Sequence, residues 1–340
     1  MSGDDSGHGQ RVNGSNGSNG RSADGARPNR PSLDAFPFVV GCRRSGTTLV
    51  RAMLHSHPLL AVPPESRFLV ALAPDLNRPW DPAHLVEELL EHDGFARWGL
   101  RRPVLRASFR DDPPRTYADA MRRLYTLWAA AHDKPRVADK TPDHVLRIGA
   151  ITALFPDARV VHVVRDGRDV AASFLELGWV DSIEKAALHW RHRVLTGRQA
   201  GALLPSSRYH ELRYEDLVER PEPTLKGMCA ALDLEFDPAM LRYEKAARTL
   251  LRSEAHPHHN RYVTRPLRRG LRDWRRDLPA AAVARFEALA GDALAALGYE
   301  LRSRTHKPGL RPLLATRPDW LAWHTRKLRR SGREALKGEL

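Results

Sequence analysis

The residues of this chain that are best suited to chemistry lie in a loop between Gly41 and Thr48. The spacing Gly-x-x-x-x-Gly-Thr-Thr matches a Walker A phosphate-binding loop, except that Thr47 stands in place of the lysine. Backbone N–H groups of such a loop, with the positive end of the following helix, hold an anion whatever the side chains are. A nucleoside triphosphatase also needs the lysine on its β- and γ-phosphates. The loop therefore indicates a different phosphorylated nucleotide.

The run from Gly41 to Leu49 resembles the 5′-phosphosulfate loop of sulfotransferases that use 3′-phosphoadenosine 5′-phosphosulfate (PAPS). The longer run to Arg67 is most similar to the tyrosylprotein sulfotransferase branch and its bacterial relatives. The resemblance implies that Arg44, counted with the catalytic candidates, holds the 5′-phosphate together with the loop N–H groups. The expected cofactor-binding residues of the loop are Arg43, Arg44, Ser45, Gly46, Thr47 and Thr48.

A second segment, Arg165 to Ser173, resembles the family's 3′-phosphate motif, in which an arginine ends a strand and a serine follows eight residues later. A planar guanidinium can bind two phosphate oxygens, and the hydroxyl adds a neutral donor. Tyr214 matches the family position whose tyrosine contacts the adenine side of the nucleotide. The alternatives are an ordinary surface turn for the first segment and a core tyrosine for the second.

The segment from Thr264 to Trp274 resembles the basic loop with which relatives cover the 3′-phosphate. The lysine expected shortly before the tryptophan is an aspartate here. Arg268, Arg269 and Arg272 are the candidates to replace it, and the choice among them stays open, with Arg272 carried as the cofactor-binding residue.

Sulfuryl transfer to an acceptor oxygen needs a base for the acceptor proton, positive groups on the transferring oxygens and charge relief on the leaving phosphate. The resemblance gives Glu65 as the base, because it follows Arg44 by 21 residues as in the tyrosylprotein branch. Lys140, in Asp-Lys-Thr-Pro, matches the catalytic lysine that stabilises the bridging oxygen. Glu65 lacks a neighbouring second acid, which weakens any inference that the acceptor is a tyrosine. Several histidines compete with Glu65, since other branches use a histidine as the base: His144 is the main alternative, and His55 and His57 follow the loop helix.

The elements that position these residues alternate between strands and helices. Strands are predicted at 36–41, 59–64, 135–140, 159–165 and 209–214. Residues 66–133 are mostly helical by pattern, a helix starts at Pro142 with Thr141 as its N-cap, and further helices cover 221–232 and 280–297. Residues 215–218 are predicted to turn out of the last strand. This alternation predicts an α/β fold, a three-layer sandwich around a parallel sheet like that of P-loop nucleotide-binding proteins. Every motif lies at the carboxyl end of a strand, where such sheets bind ligands.

Composition sets the domain organisation. The chain has 340 residues and 42% hydrophobic content, enough for one large sulfotransferase domain, which we place at 31–300. Residues 1–30 are rich in Gly, Ser and Asn and are expected to be a disordered tail. Of the net charge of +14, the basic C-terminal extension at 301–340 carries +8, from eleven Lys or Arg and three Asp or Glu. An amphipathic helix there could dock on its own domain or make a weak contact with an anionic membrane surface.

Cysteine usage and hydropathy point to a reduced compartment. Cys42 and Cys229 cannot build a disulfide framework and lack metal-ligand spacing. The N-terminus is polar and no apolar run is long enough to span a bilayer, so neither a signal peptide nor a membrane anchor is expected. These features favour a cytoplasmic protein without a metal.

Two other functions compete with sulfuryl transfer. A P-loop nucleotide kinase is disfavoured by the missing lysine and by Arg165-Asp166, because a triphosphate enzyme prefers an acid at that strand end to organise Mg²⁺. The charge suggests a nucleic-acid-binding protein, but no aromatic-interleaved basic platform supports it and most of the excess lies in the extension. The hypothesis is in-line transfer from PAPS to a hydroxyl of an unidentified acceptor: a small molecule, a glycan or a peptide.

Overall fold

The computed structural model describes residues 35–73, 80–252, 257–268 and 272–302. The predicted tail at 1–30, most of the extension at 301–340, and Arg269 lie outside the described residues. The strands of the described part are β1 (Pro37–Gly41), β2 (Leu60–Ala61), β3 (Arg136–Val137), β4 (Asp139–Lys140), β5 (Arg159–Val164) and β6 (Tyr209–Arg213). The main sheet is parallel throughout, in the order β4-β1-β5-β6, and β2 pairs in parallel with β3.

Helices fill most of the remaining described chain. The α-helices are α1 (Thr47–Ser56), α2 (Phe68–Ala71), α3 (Pro82–Glu91), α4 (Asp93–Ala96), α5 (Arg102–Asp111), α6 (Tyr117–Ala130), α7 (Ile148–Leu154), α8 (Gly167–Glu176), α9 (Ile183–Ala202), α10 (Tyr214–Glu219), α11 (Pro221–Ala231), α12 (Glu244–Leu251), α13 (Trp274–Asp277) and α14 (Ala280–Ala296). Short 3₁₀ segments lie at Pro142–Leu146, Ser206–Arg208, Pro238–Arg242 and Pro257–Thr264. No helix in these ranges is both long and apolar enough to cross a bilayer.

Both faces of the main sheet are covered by helices. In β1, Phe38 and Val40 pack in a cluster with α3, α5, α6 and α7, whereas Val39 packs with α1, α11 and α12. Because successive side chains of a strand point to opposite faces, this division requires helices on both sides of the sheet. A third cluster joins α8, α9 and α14. The predicted three-layer α/β sandwich is confirmed.

The parallel order brings the carboxyl ends of four strands to one edge. Val39 of β1 lies opposite Lys140 of β4, and Gly41 lies opposite Val163 of β5. Val164 in turn lies opposite Arg213 of β6. The predicted motifs that follow these strands therefore share one edge of the sheet.

Four local predictions need correction. The strand predicted at 59–64 pairs over only two residues, and the one predicted at 135–140 divides into β3 and β4, which belong to different sheets. The turn predicted after Tyr214 is helix α10. Thr141 caps no helix: its hydroxyl donates to Asp139 and accepts from the N–H of Ser66, and a 3₁₀ helix follows. Contacts distant in sequence, which local patterns do not contain, decide the strand pairing and the role of Thr141.

Candidate active site

The loop after β1, which we name the 42–46 loop, turns through residues with left-handed backbone. Gly46 has φ 98°, and a Cβ there would lie 2.3 Å from Cδ2 of Tyr214. Arg44, a non-glycine residue, has φ 70°. Such a conformation is uncommon outside glycine, and it occurs preferentially where a backbone is shaped for a ligand. The loop is therefore packed closely against the end of β6.

The 42–46 loop leads into the N-terminal end of α1. Helix α1 has no side-chain cap at Gly46 and no acidic residue in its first turn, so its positive end is open to an anion. The Ser45 Oγ and the Arg165 Nε are both buried, and neither has a hydrogen-bond partner among the described residues. Buried donors of this kind are normally paired. They fit a phosphorylated ligand that lies between the 42–46 loop and Arg165.

Three arginines converge beside this loop. The Arg44 Nε donates to the Ser173 Oγ at 3.0 Å, and its Nη1 donates to Asn260 at 3.1 Å. Burial, followed by repulsion from Arg272 and Arg165, lowers the pKa of Arg44 to about 10. Like charges that repel one another at a partly buried site favour an anionic ligand, because the ligand removes the repulsion.

Arg165 is oriented from two sides. Its guanidinium carbon lies 4.3 Å from the centroid of the Tyr214 ring, and its Nη2 donates to Asp169 at 3.2 Å. The other oxygen of Asp169 accepts the N–H of Trp274 at 2.8 Å, so one carboxylate fixes both Arg165 and the end of the late basic segment. Arg272 forms an ion pair with Glu176, which lies on α8 together with Asp169.

One cleft is lined by most of these groups, although the predicted residues Arg43, Ser45 and Ser173 are not among its lining residues. Seven of the predicted cofactor-binding residues line it: Arg44, Gly46, Thr47, Thr48, Arg165, Tyr214 and Arg272. Arg268, one of the open candidates from the late segment, lines it too. Leu49, Pro266 and Leu267, which lie in the predicted segments, also line it. Four lining residues that the sequence did not indicate are Tyr243, Asn260, Tyr262 and Val263. A cleft that combines apolar and aromatic side chains with basic ones is suited to a purine nucleotide with more than one phosphate.

Glu65 and Lys140 form a largely buried ion pair next to the 42–46 loop. The Lys140 Nζ lies 2.9 Å from the Glu65 Oε1, and the two side chains are 1% and 15% exposed. Arg67 contacts the other oxygen of Glu65 at 3.3 Å. Burial alone would raise the pKa of Glu65, but the charges of Lys140 and Arg43 outweigh burial and lower that pKa to about 2. Glu65 is therefore ionised at neutral pH.

Asp139, next to Lys140, holds the segments that carry this pair through hydrogen bonds. It is fully buried and accepts hydrogen bonds from Ser66, Tyr125, Thr141 and His144. Burial would raise its pKa, but these partners lower it. Ser66 follows Glu65 in the chain, so one carboxylate fixes the segments that carry both predicted catalytic residues.

The histidines considered as bases have other contacts. The Nδ1 of His144 lies 3.0 Å from Asp139, and the ring is buried. His55 accepts the N–H of Val62, and burial lowers its pKa to about 3. The His57 Nε2 lies 2.8 Å from the backbone oxygen of Glu235.

The structure separates the side chains of two neighbouring loop arginines, of which the resemblance assigned Arg44 to the 5′-phosphate. The guanidinium of Arg44 lies with Ser173, on the side predicted for the 3′-phosphate. That of Arg43 pairs instead with Asp143, and its charge acts on Glu65. The left-handed backbone at Arg44 turns the two side chains apart, which spacing alone does not reveal. Asp139, Asp143, Asp169 and Asn260 were missed; a carboxylate inside a strand segment was the available signal for Asp139.

Among the described residues, no group of three or more His, Cys, Asp or Glu side chains is arranged to hold a metal ion.

Comparison with known proteins identifies the family. A family model described as the sulfotransferase family matches residues 38–238, which is more than half of the chain. The chain belongs to the sulfotransferase family, as the resemblance predicted. Among solved structures, the sulfotransferase domain of the Synechococcus PCC 7002 olefin synthase is 25% identical and superposes with a TM-score of 0.59, covering 81% of this chain and 98% of that domain.

Two curated relatives carry specific names. The chain is 25% identical over 215 residues to the protein-tyrosine sulfotransferase of Drosophila melanogaster, covering 61% of this chain and 40% of that protein. It is 28% identical over 249 residues to the omega-hydroxy-beta-dihydromenaquinone-9 sulfotransferase Stf3 of Mycobacterium tuberculosis, covering 58% of this chain and 62% of that protein. The match therefore spans less than two thirds of either relative.

Proposed function

We propose that this protein transfers the sulfuryl group of PAPS to a hydroxyl of its acceptor by in-line displacement. The observation that carries the proposal is the pairing of two anion-binding groups on one cleft. One is the 42–46 loop with the open end of α1; the other is the cluster of Arg44, Arg165 and Arg272, in which Arg44 donates to Ser173. A nucleotide phosphorylated at both its 5′ and 3′ positions fits both groups at once, whereas a nucleoside triphosphate would leave the second without an anion.

On the 3′ side, Arg165 and Ser173 are the proposed phosphate ligands, and Arg44 joins them. Arg272 closes the group from the late segment. Tyr214, held between Gly46 and Arg165, offers its ring to the adenine side. On the 5′ side, the loop N–H groups bind the phosphate, and the hydroxyls of Ser45, Thr47 and Thr48 donate to it.

The chemistry takes place at Glu65 and Lys140. The acceptor oxygen attacks sulfur while its proton passes to Glu65, and the bond from sulfur to the bridging oxygen of PAPS breaks. The leaving group is 3′,5′-adenosine bisphosphate (PAP), whose new charge is met by Lys140 and the 42–46 loop. While Lys140 stays on Glu65 it keeps that carboxylate a weak base. When Lys140 turns to the bridging oxygen, the basicity of Glu65 rises as the transfer begins.

The class of hydroxyl is part of the same proposal. The named relatives act on a protein tyrosine and on a hydroxylated menaquinone, so the family fold accepts both a peptide and a lipid-like acceptor. The Glu65 side chain, 15% exposed, is where the acceptor reaches the site.

Calorimetric titration tests the nucleotide. We expect PAP to bind without Mg²⁺ and more tightly than 5′-AMP, which lacks the 3′-phosphate. Arg165→Ala should weaken PAP about 10- to 100-fold, because a hydrogen bond to a charged group contributes roughly 1.5–3 kcal/mol, and should leave 5′-AMP unchanged. Arg285→Ala, which removes a surface pair with Glu184, is the control. Preference for Mg²⁺-ATP over PAP would refute the proposal and favour a kinase.

A further inference from the structure

One ion-pair group beside the reaction centre is not used by the mechanism above. The Arg43 Nε and Nη2 donate to the same oxygen of Asp143, at 3.0 and 2.6 Å. The other oxygen of Asp143 accepts from Arg193 of α9, at 3.4 Å. One carboxylate thus holds two guanidinium groups, from the 42–46 loop and from α9.

The position of Asp143 connects this group to the chemistry. Asp143 lies in the 3₁₀ helix that begins two residues after Lys140. Its partner Arg43 is a member of the 42–46 loop, and the Arg43 charge acts on Glu65. The pair is only partly exposed, at 27% for Arg43 and 37% for Asp143, so water screens it incompletely. Asp143 therefore joins the segment of the proposed catalytic lysine to the phosphate-binding loop.

Without Asp143, the Arg43 guanidinium would be drawn to Glu65, a second carboxylate whose charge acts on it. An Arg43–Glu65 pair would occupy the oxygens that must accept the acceptor proton. It would also withdraw the Arg43 charge from the transferring group, where positive charge stabilises the transition state.

We propose that Asp143 is a positioning residue that keeps Arg43 off Glu65 and directed at the sulfuryl group of PAPS, with Arg193 fixing Asp143 from α9. The inference rests on the proposed function and extends it to side chains outside the nucleotide cleft. Arg43 then binds the part of PAPS that PAP lacks.

The test compares the affinities of PAPS and PAP, measured by calorimetry, and requires no knowledge of the acceptor. Arg43→Ala should lower the PAPS-to-PAP affinity ratio about tenfold, the size of one hydrogen bond to a charged group. Asp143→Asn should lower the ratio by a similar factor, and the double variant should lose no more than Arg43→Ala alone. Asp143→Glu keeps the charge, so its PAPS-to-PAP affinity ratio should stay close to that of the wild type. Asp292→Asn, which removes the Arg191 pair elsewhere on α9, is the matched control.

The outcomes distinguish the two proposals. If the wild-type protein binds neither PAPS nor PAP, the proposed function itself fails. If wild type binds both, but Asp143→Asn leaves the ratio unchanged or adds its full effect to that of Arg43→Ala, Asp143 does not act through Arg43 and the positioning role is wrong. A general loss of structure would lower PAPS and PAP binding together and would leave their ratio unchanged, so it also contradicts the inference.

Discussion

Replacing Glu65 by Gln removes the carboxylate that neutralises Lys140, a side chain only 1% exposed. Folding lowers the pKa of Glu65 from its ordinary value of 4.5 to about 2. A change of that size corresponds to about 3 kcal/mol of favourable interaction with the ionised form. We therefore expect Glu65→Gln to lower the free energy of unfolding by about 3 kcal/mol at pH 7, measured by urea denaturation.

The pH dependence of this loss has a defined sign. Because the folded-state pKa is lowered, the stabilisation is complete above the ordinary value of 4.5 and disappears as the pH falls toward 2. The stability difference between wild type and Glu65→Gln should thus stay constant from pH 7 to about pH 5 and shrink below it. Glu87→Gln, which breaks an exposed pair with Arg106, should change stability little at any pH.

The same variant tests the chemistry. Loss of a general base lowers a transfer rate by roughly 10²- to 10⁴-fold, so release of sulfate from PAPS with water as acceptor should fall by that factor. PAP binding should be retained. Wild-type turnover together with wild-type stability in Glu65→Gln would refute both parts of the reasoning and would leave His144 as the predicted alternative base.

Three further changes test the scaffold around the site. Arg168→Met should lower the free energy of unfolding by about 3–5 kcal/mol, since it leaves Glu287, 2% exposed, without its arginine; urea denaturation measures the loss, and a change below 1 kcal/mol would contradict it. Gly46→Ala should weaken PAP binding at least tenfold, because the new Cβ would displace the Tyr214 ring; calorimetry with unchanged affinity would count against the close packing. Asp139→Asn should destabilise the fold by about 3 kcal/mol because charge-assisted hydrogen bonds are lost. Thermal unfolding measures this loss, and an unchanged unfolding temperature would contradict it.

The sequence was sufficient where structure depends on neighbouring residues. The strand, loop and helix around Gly41 and Thr47 follow from apolar periodicity and glycine spacing, and they occur as predicted, with β1 ending at Gly41 and α1 beginning at Thr47. The strand that ends before Arg165 was equally clear from its β-branched density. Once a parallel sheet was predicted, the meeting of these motifs at one edge followed.

The sequence was insufficient where a contact crosses many residues. The division between β3 and β4 depends on which sheet each short strand joins, and the Thr141 hydroxyl is taken by Asp139 and Ser66 rather than by a helix end. The matching motif predicted correctly that Arg44 lies in the loop, but it did not predict which residues the Arg44 guanidinium contacts. Its guanidinium direction depends on a backbone dihedral angle of the loop and on Asn260, 216 residues away.

Both halves of the site depend on a buried or nearly buried carboxylate that takes no direct part in the proposed transfer. Asp169 accepts from Arg165 and from the N–H of Trp274, which are 109 positions apart in the chain. Asp139 joins the segment after Glu65 to the strand that carries Lys140. A carboxylate accepts several hydrogen bonds at once and loses much free energy when one of them is missing. Such residues fix the positions of the groups proposed to bind substrate, so the side chains that set the geometry here differ from those proposed to contact substrate.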